Sequence, residues 1–342
     1  FEPNDIGFNR EADNTSLFIW AQYREDSPSD HYQRWSVNFN SWQGGSFGTE
    51  SPHYGGNVNG SITLKNYWHL GGGLNIGGPS WHRYALWGGP SLRMDPNMNS
   101  WLNINSDSRK NITINFNGYY GGQITGSRFY GLSPNMTWRP TNNFSMRMYL
   151  SYRGLDDNWS TWSDYDVILN EQDPDSTGDF LMSDIIQNTL SATLRLDFTL
   201  TPTLSIQFYG SPYVTAGKYF NFKRVADAHA SEWDQRYEEY ENGEITYNAE
   251  NEQWMIDSDL DGVNNYTIDN YDFNYKQFNS NLVIRWEYLP GSTFYLVWSN
   301  GLSDFLEGNN EGEMNFSEDV KNMVKLDAEN IVMMKVSYLL NI

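Results

Sequence analysis

The chain has 342 residues, 16% of them aromatic, no cysteine, and 43 acids against 22 Lys and Arg, for a formal charge of −21. That balance excludes a basic nucleic-acid-binding surface, and the lack of Cys excludes a disulfide framework and thiol chemistry. No run approaches the roughly 18 apolar residues that a spanning helix needs, so any membrane crossing must use strands.

Phe1 is followed by no charged n-region and no signal-type apolar stretch, so the chain is expected to be processed or truncated at its start. The first predicted strands cover 16–25, 32–42, 57–65, 67–77, 83–94 and 99–107. They are the least regular, because "GGSFGTESPHYGGNVNG" and "HLGGGLNIGGPSWH" are glycine-rich. From 110 onward the alternation is strict. In "NITINFNGYYGG" (strand 110–121), Ile112, Ile114, Phe116 and Tyr120 alternate with Asn111, Thr113, Asn115 and Asn117. Strand 127–138 carries Tyr130, Leu132, Met136 and Trp138 on one parity. Strand 143–153 carries Phe144, Met146, Met148, Leu150 and Tyr152, against Ser145, Arg147, Tyr149, Ser151 and Arg153. In 185–200, Leu190, Ala192, Leu194, Leu196 and Phe198 oppose Ser191, Thr193, Arg195 and Asp197. Strands 203–215, 277–289, 292–302 and 330–342 continue the series, which ends in "ENIVMMKVSYLLNI".

A period of two marks a strand with one apolar face. The count is about 14, and each apolar face runs over about ten residues. Roughly nine to eleven tilted residues cross a bilayer as a β-strand, whereas soluble sandwiches alternate over shorter spans and turn the apolar face to a core. Tight connections at Ser106–Lys110, Arg139–Asn143, Thr201–Thr203 and Leu289–Ser292 alternate with long ones at Gly154–Asp184, Ala216–Lys276 and Ser303–Asp327. The long ones hold 9, 14 and 7 acids, 30 of the 43. Outer-membrane barrels show this asymmetry of short periplasmic turns and long external loops. Trp138, Phe144, Phe198, Trp286, Tyr288 and Phe294 flank the tight turns, and Tyr120, Tyr130 and Tyr152 lie near the opposite ends. They read as interfacial girdles or as ordinary aromatic strand propensity.

Asp257, Asp259 and Asp261, followed by Gly262, copy the start of an EF-hand-type loop. Position twelve is Ile268 rather than Glu, so the segment reads either as a Ca2+ site in an external loop or as a solvated acidic turn. Arg147, Arg195, Asp197, Arg285, Glu287 and Lys335 share the polar parity. They are candidates for lining a lumen or for cross-strand ion-pair ladders. His31, His53, His69, His82 and His229 have no ligand spacing, and no helix follows the glycine-rich stretches to make a phosphate site. No catalytic residue is assigned and no cofactor is required. An enzyme is not expected, because acidic loops always offer two carboxylates and sequence alone does not set their separation.

"NSNLVIRWEYLPGSTFYLVWS" at Asn279–Ser299, with "FEPNDIGFNR" and "ENIVMMKVSYLL", resembles a family of Bacteroidota outer-membrane proteins. In that family a family-9-type carbohydrate-binding domain precedes a C-terminal domain of unknown function. The most specific piece is Arg285-Trp286-Glu287-Tyr288 with Pro290-Gly291-Ser292-Thr293. The resemblance covers Phe1 to Ile342 and implies a barrel that begins upstream of "NDIGF". It carries no sugar-binding or catalytic residue onto this chain.

The expectation is therefore an all-β, antiparallel transmembrane β-barrel of the bacterial outer membrane over 1–342, whole or the later part of a larger barrel. It would serve as a channel or uptake component for polar or glycan-derived solutes. The alternatives are a non-transporting barrel that scaffolds other outer-membrane proteins or surface lipoproteins, and a surface carbohydrate-active hydrolase.

Overall fold

The computed structural model describes residues 15–47, 52–83, 85–86, 89–161, 167–168, 179–308 and 312–340. The opening "FEPNDIGFNR" and the last two residues, Asn341 and Ile342, lie outside the described residues.

Thirteen strands form the path of one antiparallel sheet, each paired with the next, and two short strands, Val167–Ile168 and Tyr237–Glu239, pair beside that path. They are β1 (Thr15–Glu25), β2 (Tyr32–Gly45), β3 (His53–Leu64), β4 (His69–Gly77), β5 (Asn97–Asn105), β6 (Ile112–Gln123) and β7 (Arg128–Thr141). There follow β8 (Phe144–Thr161), β9 (Asp179–Thr201), β10 (Leu204–Val225), β11 (Phe273–Leu289), β12 (Ser292–Glu307) and β13 (Glu329–Ser337). The all-β, antiparallel expectation holds. The closed barrel does not appear: β1 and β13 have no partner on their outer edges among the described residues. In a thirteen-strand meander the first and last strands run the same way. An antiparallel closure therefore takes an odd number of further strands between them.

The register puts all the apolar parities on one face. Ile114 pairs with Met136, Met136 with Met148, Met148 with Leu194, and Leu196 with Phe208. Phe208 pairs with Leu282, Leu282 with Trp298, and Trp298 with Val332. Among the described residues no second layer covers this band. Ile114 is 48% exposed, Leu150 40% and Met334 73%. The buried apolar clusters lie elsewhere, at the loop end of the sheet. A soluble sandwich would bury this face against a second sheet, and the sheets of the described residues include none packed on it.

Connections sort to the two ends of the sheet. One end has only the short links 26–31, 65–68, 106–111, 142–143, 202–203 and 290–291. The other has 46–52, 78–96, 124–127, 162–178, 226–272 and 308–328. Gly291 takes a φ of +76° in the tight turn between β11 and β12, a left-handed value that favours glycine.

Several strand boundaries differ from expectation. Segment 83–94 joins no long strand. Ser80–His82 and Leu92–Met94 make a two-stranded hairpin, and Ala85, Leu86 and Leu92 are buried in a loop core. Their apolar character serves packing rather than pleating. The later strands run past their predicted ends, β8 to Thr161, β10 to Val225 and β12 to Glu307. Beyond the apolar band backbone pairing continues while alternation stops. Strand β13 ends at Ser337 instead of 342 because its ladder partner begins at Thr293. Leu339 N–H then donates to Ser292 Oγ at 3.0 Å.

The loop end has its own architecture. Past the apolar band, the extended β9–β10 hairpin carries a cluster on each face. Met182 packs with Leu92, Ala228 and Tyr237; its neighbour Leu181 packs with Phe222, Ile256 and Ile268. The latter two belong to a three-stranded sheet, Ile245–Asn248, Gln253–Ile256 and Tyr266–Asp269. Helix α1 (Phe316–Met323) lies on β11 and β12. The Asn315 side chain accepts the Glu318 N–H at its start, an N-cap.

Candidate solute-lining face and loop cap

The face opposite the apolar band is polar, and over β1–β5 it is bound together by side-chain amides. Gln22 donates to Asn38 at 2.8 Å, Asn38 to Asn59 at 2.9 Å, and Asn59 in turn to Asn57. Asn57 donates to Asn75 at 2.5 Å and Asn75 to Asn99 at 2.5 Å. Asn40 joins through Asn57 at 2.9 Å. Each amide offers both a donor and an acceptor, so a row at alternate positions links one strand to the next without charge. Register carries the row onward, with Asn103 opposite Asn117 and Asn115 opposite Asn135. Hydroxyls continue it, as in Ser133 to Ser151 and Thr189 against Thr215.

The six charged candidates also lie on this face, and all sit near the short-turn end of their strands. Arg147 reaches diagonally to Asp197 at 3.3 Å. Arg195 lies over the Tyr209 ring, 5.3 Å from its centroid. Arg285 contacts Glu287 at 3.2 Å and the Tyr295 hydroxyl at 3.3 Å. Glu287 also accepts the Gly291 N–H at 3.0 Å, which ties it to the turn. Lys335 stands opposite Tyr295 in the register. Four of the six thus pair, Arg147 with Asp197 and Arg285 with Glu287, while Arg195 rests on a ring.

The same face is hollowed. A cavity of about 470 Å3 is lined from five adjacent strands, β6 to β10.

Asp257, Asp259 and Asp261 converge, with one carboxylate oxygen from each lying within 4.8 Å of the others. Oxygens so placed can hold a hard cation such as Ca2+. The loop also folds around them by itself: Asp257 accepts the backbone N–H groups of Asp261 (3.2 Å) and Gly262 (2.9 Å).

A family profile described as Domain of unknown function (DUF5916) matches residues 1–342. The chain belongs to this family. No curated protein matches it.

In this DUF5916 chain the residues that organise the loop end were not singled out by sequence. Arg236, 1% exposed, donates to Asp95 through both terminal nitrogens at 3.1 and 2.8 Å. Its remaining donors reach the carbonyls of Ala230, Arg93 and Ser231. Burial opposes the charge, and the Asp95 carboxylate outweighs it, so Arg236 is held above its ordinary pKa. Asp95 also accepts the Thr125 hydroxyl at 2.8 Å. One ion pair thereby joins three connections. Lys223, wholly buried, pairs with Asp184 and lies 4.9 Å over the Trp233 ring. Burial pushes the Tyr237 phenol up to about 12. Lys276 and Asp319, under α1, form a third buried pair at 3.6 Å. None of these has a sequence signature, because the partners are remote along the chain.

Proposed function

We propose that this chain is the membrane-spanning sheet of a β-barrel in the bacterial outer membrane, and that its polar face lines a path for polar, uncharged solutes. The observation that carries the reading is the pairing of an uncovered apolar band with an opposite face of linked amides. Hydrocarbon is the solvent that favours such a band. Two aromatic rows support it. Trp138 meets Phe144 at 5.9 Å and Phe144 meets Phe198 at 6.1 Å near the short turns, while Tyr130 meets Tyr152 at 6.0 Å higher up. Along β7, Tyr130 and Trp138 lie roughly 26 Å apart at about 3.3 Å per residue. With the roughly 40° strand tilt of barrels this is about 20 Å along the bilayer normal, within an apolar band of roughly 25 Å. Above the upper row the same face turns ionic at Lys276, Asp304 and Asp319. The wider reading places the chain among Bacteroidota outer-membrane proteins, following a carbohydrate-binding domain.

Reconstitution into planar bilayers tests it. Discrete conductance steps with weak ion selectivity are the expected result. A specific feature favours a second reading: the loop end is a folded body around Arg236 and Asp95, a surface on which another protein could rest. An electrically silent barrel that co-purifies with a stoichiometric partner would favour that scaffold role.

A further inference from the structure

Tyr119 on β6 stands opposite Gly131 on β7, and in the next row Gly121 stands opposite Phe129. Each ring leans over the glycine across from it. A Cβ built on Gly131 would come 2.4 Å from the Tyr119 ring, and one on Gly121 would come 2.7 Å from the Phe129 ring. Only glycine leaves room for this arrangement. Both rings are 37% exposed, and their centroids are 6.1 Å apart. The glycines thus leave room for the two rings to lean across onto the facing strand, where, tilted 46° to each other, they make an uneven aromatic floor. That floor belongs to the cavity on the polar face, together with Tyr213, Arg153, Gln187 and Thr189. Arg153 is exposed there and has no ion or hydrogen-bond partner among the described residues, unlike the paired Arg147 and Arg285.

We infer that this cavity is a saccharide subsite that takes a neutral pyranose unit of an oligosaccharide. A pyranose presents a face of C–H bonds, weakly positive, that rests on the negative face of an aromatic ring. Its equatorial hydroxyls need donors and acceptors around the rim, which Arg153, Gln187 and Thr189 supply. About 470 Å3 falls within the usual range for small-ligand sites. Charge selects the neutral sugar over an acidic one. The solute must pass the connections 162–178, 226–272 and 308–328, which hold 24 of the 43 acids, and a larger recess among them is lined by Asp234, Glu238, Glu239 and Glu241. Their field repels anions before they reach Arg153. The inference deepens the channel reading and rests on it only for the route of access.

The test is calorimetric titration of the full chain in detergent micelles with maltohexaose, cellohexaose and hexagalacturonate. At least one neutral hexasaccharide is expected to bind with millimolar affinity or better. Truncating both platform rings (Tyr119→Ala with Phe129→Ala) should weaken it by roughly tenfold. Ser151→Trp provides a second arm that does not depend on the folding of that pair: it fills the cavity, leaves the glycine-seated rings in place, and should abolish binding. Arg153→Gln should weaken binding severalfold. The inference is overturned by unchanged affinity in Ser151→Trp, by preference for hexagalacturonate, or by no neutral binding at millimolar concentration. A barrel that conducts ions yet ignores these sugars overturns the subsite and leaves the channel standing. A barrel that binds them yet is electrically silent upholds the subsite and removes the channel.

Discussion

Asp95 and Arg236, 141 residues apart in sequence, meet in a two-pronged ion pair with less than a tenth of either side chain exposed. The pair fastens the 78–96 connection to the 226–272 connection, and through Thr125 it holds a third.

Removing one member strands a charge in a dry site. Arg236→Met is therefore expected to loosen the loop end by about 3–5 kcal/mol. Limited proteolysis within 226–244 reads the change. The double variant Asp95→Leu with Arg236→Met, which leaves no orphan charge, should be cut more slowly than the single one. Equal cutting of both would mean that the pair does not govern the loops.

Arginine on the apolar face should be costly, and on the polar face mild. Met146→Arg or Leu194→Arg is expected to lower assembly into membranes by about 2–4 kcal/mol. Ser145→Arg and Thr193→Arg, one residue away in each strand, should assemble nearly as well as the parent. Heat-modifiable gel migration of the membrane fraction measures the folded share. Equal tolerance on both parities would remove hydrocarbon as the solvent of that face.

The free edges of β1 and β13 make a separate prediction. Unpaired backbone groups in hydrocarbon cost several kcal/mol each, so both edges should be paired in the bilayer. Hydrogen exchange of the full-length protein in nanodiscs should show amides of Leu17–Tyr23 and Ile331–Val336 as protected as those of β8 and β9. Rapid exchange along either edge would show an open sheet.

Ca2+ is expected to bind weakly at Asp257, Asp259 and Asp261, in the range of about 10⁻⁴–10⁻³ M for exposed, flexible carboxylate loops. Isothermal titration should detect it, and Asp259→Asn should abolish the signal. That residue is the informative choice because Asp257 and Asp261 also accept backbone N–H groups that shape the loop. No heat of binding in the parent would leave a self-folded acidic turn.

The 106–111 turn has a defined acid limit. The Arg109 guanidinium, bonded at 2.9 and 2.8 Å, holds the Asp107 carboxyl down at about 2. A depressed carboxyl contributes stability above its ordinary pKa near 3.8 and loses it as pH falls through about 2. The contact of Arg109 over the Tyr67 ring, at 3.4 Å, joins this turn to its neighbour. Tyrosine fluorescence of the parent and of Asp107→Asn should therefore differ at pH 5 and converge below pH 2.

The existence of the strands was legible wherever alternation was strict, from Ile112 to Val336. Pleating makes the side-chain period a local property, so no knowledge of neighbours is needed to see it. The tight turns at 142–143, 202–203 and 290–291 were legible for the same reason. Segment 83–94 was misread because Leu86 and Leu92 are as apolar as any strand residue, yet their burial comes from Met182 and Ala228, far along the chain. The convergence of the three aspartates was visible in their spacing. The Arg147–Asp197 pair was half visible: parity put both on one face, but only the diagonal register between β8 and β9 brought them together.

What the sequence determined alone is the solvent preference of each face, since a period of two sorts side chains before any strand finds its neighbour. Tertiary structure decided everything that depends on register. Asparagines spread from Asn38 to Asn99 became one bonded row, Tyr119 and Phe129 came to lie over glycines of the facing strand, and Arg236 found Asp95. The physical reason is that a strand's pattern is invariant to sliding by two residues. Composition therefore says which face is polar, and only the hydrogen-bonded ladder says which polar group meets which.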